Sequence, residues 1–345
     1  MSVARWIRRL CLAGLLLCFA VVVLGAYVRL TAAGLGCPDW PGCYGHLSPP
    51  GAEQSAAALP AYPGRALDAG KAWREMIHRY AAGTLAAIIV LITVLALTAR
   101  RARVVSVPLV LALFATVLVQ ALLGMLTVTW QLKPLIVTAH LLFGMTTLAL
   151  LWWLTLSLPR SSWGSTALHS AGRAISGGGA SPLAHAQLLA LLGLGALLLQ
   201  IALGGWTSSN YAAIACPDFP TCQGVWWPHA DFRQGFALWH GLSTDYEGGV
   251  LDNPSRIAID LAHRLSALLA AVVLGLAALY VLRRRGFAGA RRWAWALLAA
   301  LALQLAIGVS MVLRGFPLWL ATLHTAGAAL LLLATLALLR SLSAR

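Results

Sequence analysis

The run from Cys11 to Val28, CLAGLLLCFAVVVLGAYV, holds no charged side chain and sits between Arg5, Arg8 and Arg9 on one side and Arg29 on the other. As a helix rising 1.5 Å per residue it is about 27 Å long, close to the ~30 Å apolar core of a bilayer. A secretory signal would need a small-x-small cleavage site near Gly25–Ala33, and Arg29 follows the run at once, so an uncleaved membrane helix is expected. Seven more runs follow near residues 76–98, 104–128, 135–158, 184–207, 258–282, 293–313 and 318–339. Composition agrees: 60% of the 345 residues are apolar and 10% charged, against about 45–50% and about 25% in soluble domains. A water-soluble globule, a disordered chain and a coiled coil are all excluded. Backbone in lipid must pair within its own segment, so the spans are helices. The sequence predicts an all-α integral membrane protein with eight transmembrane helices.

The net charge of +15 does not imply nucleic acid, because the basic residues lie between the apolar runs and form no basic face. With the N-terminus inside, 15 of the 25 Lys and Arg, among them Arg5, Arg100, Arg283 and Arg340, fall on the cytoplasmic side. All ten acidic residues fall on the other side or at outer helix ends. The positive-inside bias then predicts a multi-pass protein of the cell's inner (cytoplasmic) membrane with both termini cytoplasmic.

The chain also repeats itself. Leu24-Gly25 and the loop CPDWPGC (Cys37 to Cys43) return as Leu203-Gly204 and CPDFPTC (Cys216 to Cys222), 179 residues later. Glu75-x-x-His78-Arg79 returns as Asp260-x-x-His263-Arg264 at an offset of 185, and Gln120-x-x-x-Gly124 as Gln304-x-x-x-Gly308 at 184. His140 and His324, each shortly after a proline, are also 184 apart. Each half carries four spans, so both insert in the same sense, as parallel repeats do. The expected division is an N-terminal four-helix half (1–158), a cytoplasmic linker (159–183) containing Ser176-Gly-Gly-Gly-Ala180, and a C-terminal four-helix half (184–345).

Of the nine histidines, His185 sits at the inner edge of a predicted span, whereas His78, His140, His263 and His324 fall inside predicted spans near the outer end, two to six residues from it. Ionisable groups at that depth are costly and mark function. A lone histidine bonded between helices would be unremarkable, but two per repeat at one depth suggest axial ligands to haem iron, His78 with His140 and His263 with His324. Zinc would need further ligands, for which Glu75 and Asp260 are candidates. Glu75, three residues before His78, shares its helix face. It reads either as an acid at a helix start, favoured by the dipole, or as a carboxylate beside a haem edge. Arg79 and Arg264 are candidates for haem propionates or for snorkelling at the interface.

Cys11 and Cys18 read as small apolar fillers. Cys37 with Cys43, and Cys216 with Cys222, lie in outer loops on the oxidising side and suit disulfides, either as staples or as redox-active pairs. A c-type haem is excluded by the lack of CxxCH.

Gly25-Ala-Tyr-Val28-Arg29-Leu30-Thr31, the EMIHRY segment around His78, Gln120-x-x-x-Gly124 and Thr138-Ala-His140, with the repeated cysteines and paired histidines, resemble the haem A synthase family over nearly the whole chain. The resemblance implies oxidation of the C8 methyl of haem O to a formyl group, giving haem A for terminal oxidases, with water as the oxygen source. It implies that His78 and His140 flank the substrate haem O, that Glu75 is the catalytic carboxylate, and that His263 and His324 ligate a haem b. Haem O synthase and an electron donor are the implied partners beside the lipid bilayer. Two other readings use the same residues. A dihaem b-type electron carrier would need no special acid. A haem-handling transporter or assembly factor would use outer-loop residues such as Trp226, Trp227, His229 and His240.

Overall fold

A computed structural model of the chain describes residues 3–49, 51, 67–100, 105–158, 181–239, 241 and 244–343. Among these, eight helices are long and apolar enough to cross a bilayer: α1 (Val3–Leu30), α2 (Ala69–Thr98), α3 (Val107–Thr129), α4 (Pro134–Ser157), α5 (Pro182–Ser209), α6 (Asn253–Arg283), α7 (Arg291–Leu313) and α8 (Leu318–Ser343). Of the expected linker, residues 159–180 lie outside the described residues, and Pro182 already belongs to α5.

Helix starts follow side-chain chemistry. Asp68 caps α2 by accepting from Lys71 N at 2.9 Å, and Asp252 caps α6 by accepting from Ser255 N at 3.0 Å. Proline stands in the first turn of α4, α5 and α6, where a missing N–H loses nothing. Helices α2 and α6 begin seven and five residues before the apolar runs do. Hydropathy marks only the length that lipid covers, and here each helix continues outward to pack under a cysteine loop.

In the first half α1 packs on α2 and α4, and α3 closes the bundle between α2 and α4; α5, α6, α7 and α8 pair in the same pattern. The halves meet through α1 with α8, α4 with α5, and α4 with α8. Three polar contacts lock that seam. Arg29, at the end of α1, donates to Ser208 O at 2.8 Å and Ser209 O at 3.3 Å, two carbonyls at the C-terminal end of α5. The same guanidinium lies 4.2 Å from the centre of the Tyr211 ring. On the inner side, Trp152 Nε1 donates to Leu333 O at 2.9 Å.

The largest buried apolar cluster runs through both halves towards the inner side, from Ile7, Cys11 and Cys18 through Ile89 and Leu151 to Leu274, Leu332 and Leu338. Both free cysteines are buried there, as fillers would be. At the outer side the clusters are small and separate, one around Cys37 and Cys43 and one around Cys216 and Cys222. The four histidines lie between these layers.

Candidate functional site

Each of the four histidines stands against a glycine on a neighbouring helix. A methyl group at Gly25 of α1 would sit 3.0 Å from His78 Cε1, and one at Gly124 of α3 would sit 3.4 Å from His140 Cε1. In the second half the same contacts are Gly204 of α5 with His263 at 3.2 Å and Gly308 of α7 with His324 at 3.0 Å. A side chain at Gly25, Gly204 or Gly308 would crowd the ring, and one at Gly124 would touch it. The imidazoles are therefore seated close against backbone. All four histidines are half-buried between helices.

His263 and His324 face each other with ring centres 6.5 Å apart and planes at 72°. Two imidazoles on opposite faces of one iron, each about 2 Å from it, put their ring centres about 6 Å apart. The Nδ1 atoms of His78 and His140, like that of His324, are buried without a partner. This donor set fits a bis-histidine haem. Among the described residues no three His, Cys, Asp or Glu side chains gather as a zinc site held by protein alone would need.

Both cysteine pairs are disulfides, with Cα atoms 4.7 Å apart for Cys37–Cys43 and 4.6 Å for Cys216–Cys222. The two loops are built alike. Asp39 accepts from Tyr44 N at 2.6 Å and Gly45 N at 2.9 Å, and Asp218 from Gln223 N at 2.6 Å and Gly224 N at 3.0 Å. These bonds, with Thr221 foremost, hold the Asp218 carboxyl below its ordinary pKa.

Arg79 and Arg264 latch the loops to the helices beneath them. Arg79 Nη1 donates to Asp39 O at 2.9 Å, Pro41 O at 3.3 Å and Gly42 O. Arg264 donates to Asp218 O at 2.9 Å, Thr221 O at 2.8 Å and Cys216 O at 2.8 Å. Their donors are thus largely taken by loop carbonyls.

The acids beside them differ. Glu75 is 4% exposed, pairs with Arg79 at 2.5 Å, and accepts from Cys37 N at 2.8 Å. Asp260, one methylene shorter and 5% exposed, pairs with Arg264 at 2.7 Å and, among the described residues, accepts no hydrogen bond from the backbone of the cysteine loop. Glu75 stands two turns into α2, beyond the first-turn N–H groups, so the helix-start explanation does not account for it. It bridges the first disulfide loop to the face that carries His78.

Of the outer-loop residues, Trp226 and Trp227 are exposed, Trp227 stacking on Phe232, whereas His240 lies outside the described residues. Sequence reasoning used the four glycines only as repeat markers. It missed Gln200, whose amide touches the His263 ring at 3.2 Å. The signal was available: Gln200-x-x-x-Gly204 is a third copy of the spacing seen at Gln120 and Gln304.

Residues 8–336 match the family model COX15-CtaA, described as cytochrome oxidase assembly protein. The chain is similar to the haem A synthase of Shewanella oneidensis, at 40% identity over 95% of this chain and 93% of the relative. It is also similar to the haem A synthases of Caulobacter vibrioides, at 29% over 91% of this chain and 89% of that protein, and of Granulibacter bethesdensis, at 26% over 99% and 87%.

Proposed function

This chain belongs to the COX15-CtaA family of cytochrome oxidase assembly proteins, and from that premise we propose how its two halves divide the making of haem A. The activity is that of a haem A synthase, a membrane oxidoreductase converting haem O to haem A. The N-terminal half, residues 1–158, takes haem O between His78 and His140. The C-terminal half, residues 184–345, keeps a haem b between His263 and His324. A bound haem b supplies reversible one-electron transfer near the substrate.

Glu75 is the catalytic carboxylate. Taking electrons from the C8 methyl builds positive charge beside the porphyrin, and a buried carboxylate stabilises it far better than water would. As water adds to the oxidised carbon, the same carboxylate accepts the proton released. Arg79 holds Glu75 and the first disulfide loop in one arrangement, so the acid is positioned before substrate arrives. The observation that carries this assignment of roles is the inequality of the two acids: Glu75 is fixed from both the helix and the loop, Asp260 from the helix alone. The disulfides act as staples of the two outer loops in this reading, and Arg79 and Arg264 as loop latches whose remaining donors reach propionates.

The arginine bias supports an inner-membrane protein with both termini cytoplasmic, receiving substrate from a haem O synthase and passing the four electrons taken from the methyl group to an external electron acceptor. The test is extraction of haem from protein purified out of cells that make haem O. Haem b together with haem O or haem A is expected. Haem b alone, at two per chain, would identify a dihaem carrier and overturn the reading.

A further inference from the structure

Each histidine has a glycine under the ring, and one helical turn earlier on the same helix stands a second position, whose side chain meets the ring at His263 and, through Gln304 Nε2 at 3.4 Å, at His324. In three of the four seats that earlier residue is glutamine: Gln120 before Gly124, Gln200 before Gly204 and Gln304 before Gly308. In the seat of His78 it is Val21, before Gly25.

At His263 the glutamine is engaged. Gln200 Nε2 lies 3.2 Å from His263 Nδ1 and 3.4 Å from its Nε2, and the hydroxyl of Ser266, itself 8% exposed, donates to Gln200 Oε1. The chain Ser266–Gln200–His263 joins α6 back to itself through α5. The residue at the position of Ser266 in the first half is Ala81. Both members of the relay are thus absent at His78, whose Nδ1 is buried without a partner.

We propose that Gln200, supported by Ser266, is the positioning residue that makes the C-terminal haem resident, and that Val21 and Ala81 leave His78 free to release the haem it holds. This rests on the reading that His263 ligates a haem b. A histidine that gives Nε2 to iron must carry its proton on Nδ1, and that proton needs an acceptor. Turning the Gln200 amide by half a rotation offers Oε1 to Nδ1–H, while the amide NH2 turns to Ser266 Oγ. A hydroxyl donates or accepts equally well, so Ser266 completes the chain in either orientation. Such an outer partner fixes the tautomer and the ring plane and makes the imidazole a stronger donor. Losing one typically weakens metal affinity about 10- to 100-fold. An apolar valine does none of this, which suits a site whose occupant must leave as product.

The experiment uses the full-length purified protein and two readouts other than turnover: the rate at which haem b passes to excess apomyoglobin, and its midpoint potential. Gln200→Leu, of similar volume, is expected to speed haem transfer about tenfold and to move the potential upward, because a less electron-rich imidazole favours the reduced iron. Ser266→Ala should shift both in the same direction by less. Gln200→Glu keeps an acceptor and should restore slow transfer with a potential at or below the parent's. Parent-like transfer and potential in Gln200→Leu would overturn the relay while leaving the haem site intact. Retention of haem b by His263→Ala would overturn the underlying assignment. The converse change, Val21→Gln with Ala81→Ser, should slow transfer of haem from the first half and leave the second unaltered.

Discussion

The two outer loops resemble each other far more closely than the seats of His78 and His263 do. In the loops almost every bond recurs: the disulfide, the aspartate accepting two backbone N–H groups, and the arginine collecting loop carbonyls. In the seats of His78 and His263 the glycine recurs but its surroundings do not. His263 stands opposite His324 and touches Gln200, while His78 has Val21 one turn before its glycine and Glu75 one turn before itself, tied to Cys37. The difference teaches where sameness is required. Under the proposed division, a loop staple has the same work in both halves, whereas a haem that stays and a haem that is transformed would need different neighbours.

The sharpest way to break this comparison is to remove the histidines. His263→Ala or His324→Ala should abolish the low-spin b-type absorbance of the purified protein. His78→Ala or His140→Ala should leave that absorbance intact and stop haem A formation. Equal loss of haem b from all four variants would mean that the halves are not divided as proposed.

Next in size are the acids. Glu75→Gln keeps an oxygen that can accept from Cys37 N–H but removes the charge, so the loop should stay docked while haem A formation falls. Losing one well-placed electrostatic group at a reacting centre typically slows chemistry about 10²- to 10³-fold. Asp260→Asn should change the rate only a few-fold. Measured as haem A formed per haem b present, comparable losses in both variants would assign the acids a shared structural role.

Much of this plan was legible before any coordinates. Long apolar runs located eight spans because lipid leaves the backbone a single economical solution, and the repeat singled out four histidines because an offset of 184 or 185 recurs three times. Two things were hidden. The outer starts of α2 and α6 were hidden because their first turns, Ala69-Gly70-Lys71 and Asn253-Pro254-Ser255, hold polar residues, glycine and proline and so break the apolar run. The partners of Arg79 and Arg264 were hidden because they are backbone carbonyls, which no side-chain pattern encodes. Gln200 was in plain view, but a single amide in an apolar run means little until the ring it meets is known.

A third test concerns the latches. Arg79→Lys and Arg264→Lys keep the charge but lose the planar fork that collects several carbonyls at once. Each should lower the thermal midpoint by a few degrees and make its own disulfide more accessible to reductant. Only Arg79→Lys should also slow haem A formation, because only Arg79 positions an acid that acts in the chemistry. A slowed reaction in Arg264→Lys with haem b retained would count against the division of labour.

The smallest expected effect lies where the halves are most alike. Asp68 and Asp252 begin α2 and α6 and stand 184 residues apart, within the repeat. The N–H of Lys71 lowers the Asp68 pKa first of all, and the hydroxyl and N–H of Ser255 lower that of Asp252. A carboxyl whose pKa is lower folded than unfolded contributes stability that is present above its unfolded pKa and fades as the pH falls through the folded value. Both caps should therefore hold fully at neutral pH and weaken only below about pH 4. Replacing either aspartate by alanine should lower the thermal midpoint slightly at pH 7 and flatten its decline in acid, by the same amount in each case. Asparagine, which caps without charge, should restore the midpoint at pH 7 but not the acid dependence. A clearly larger effect of Asp68→Ala would mean that the start of α2 also sets the aim of Glu75, seven residues on, and the equality of the two helix starts would fail at the half where chemistry takes place.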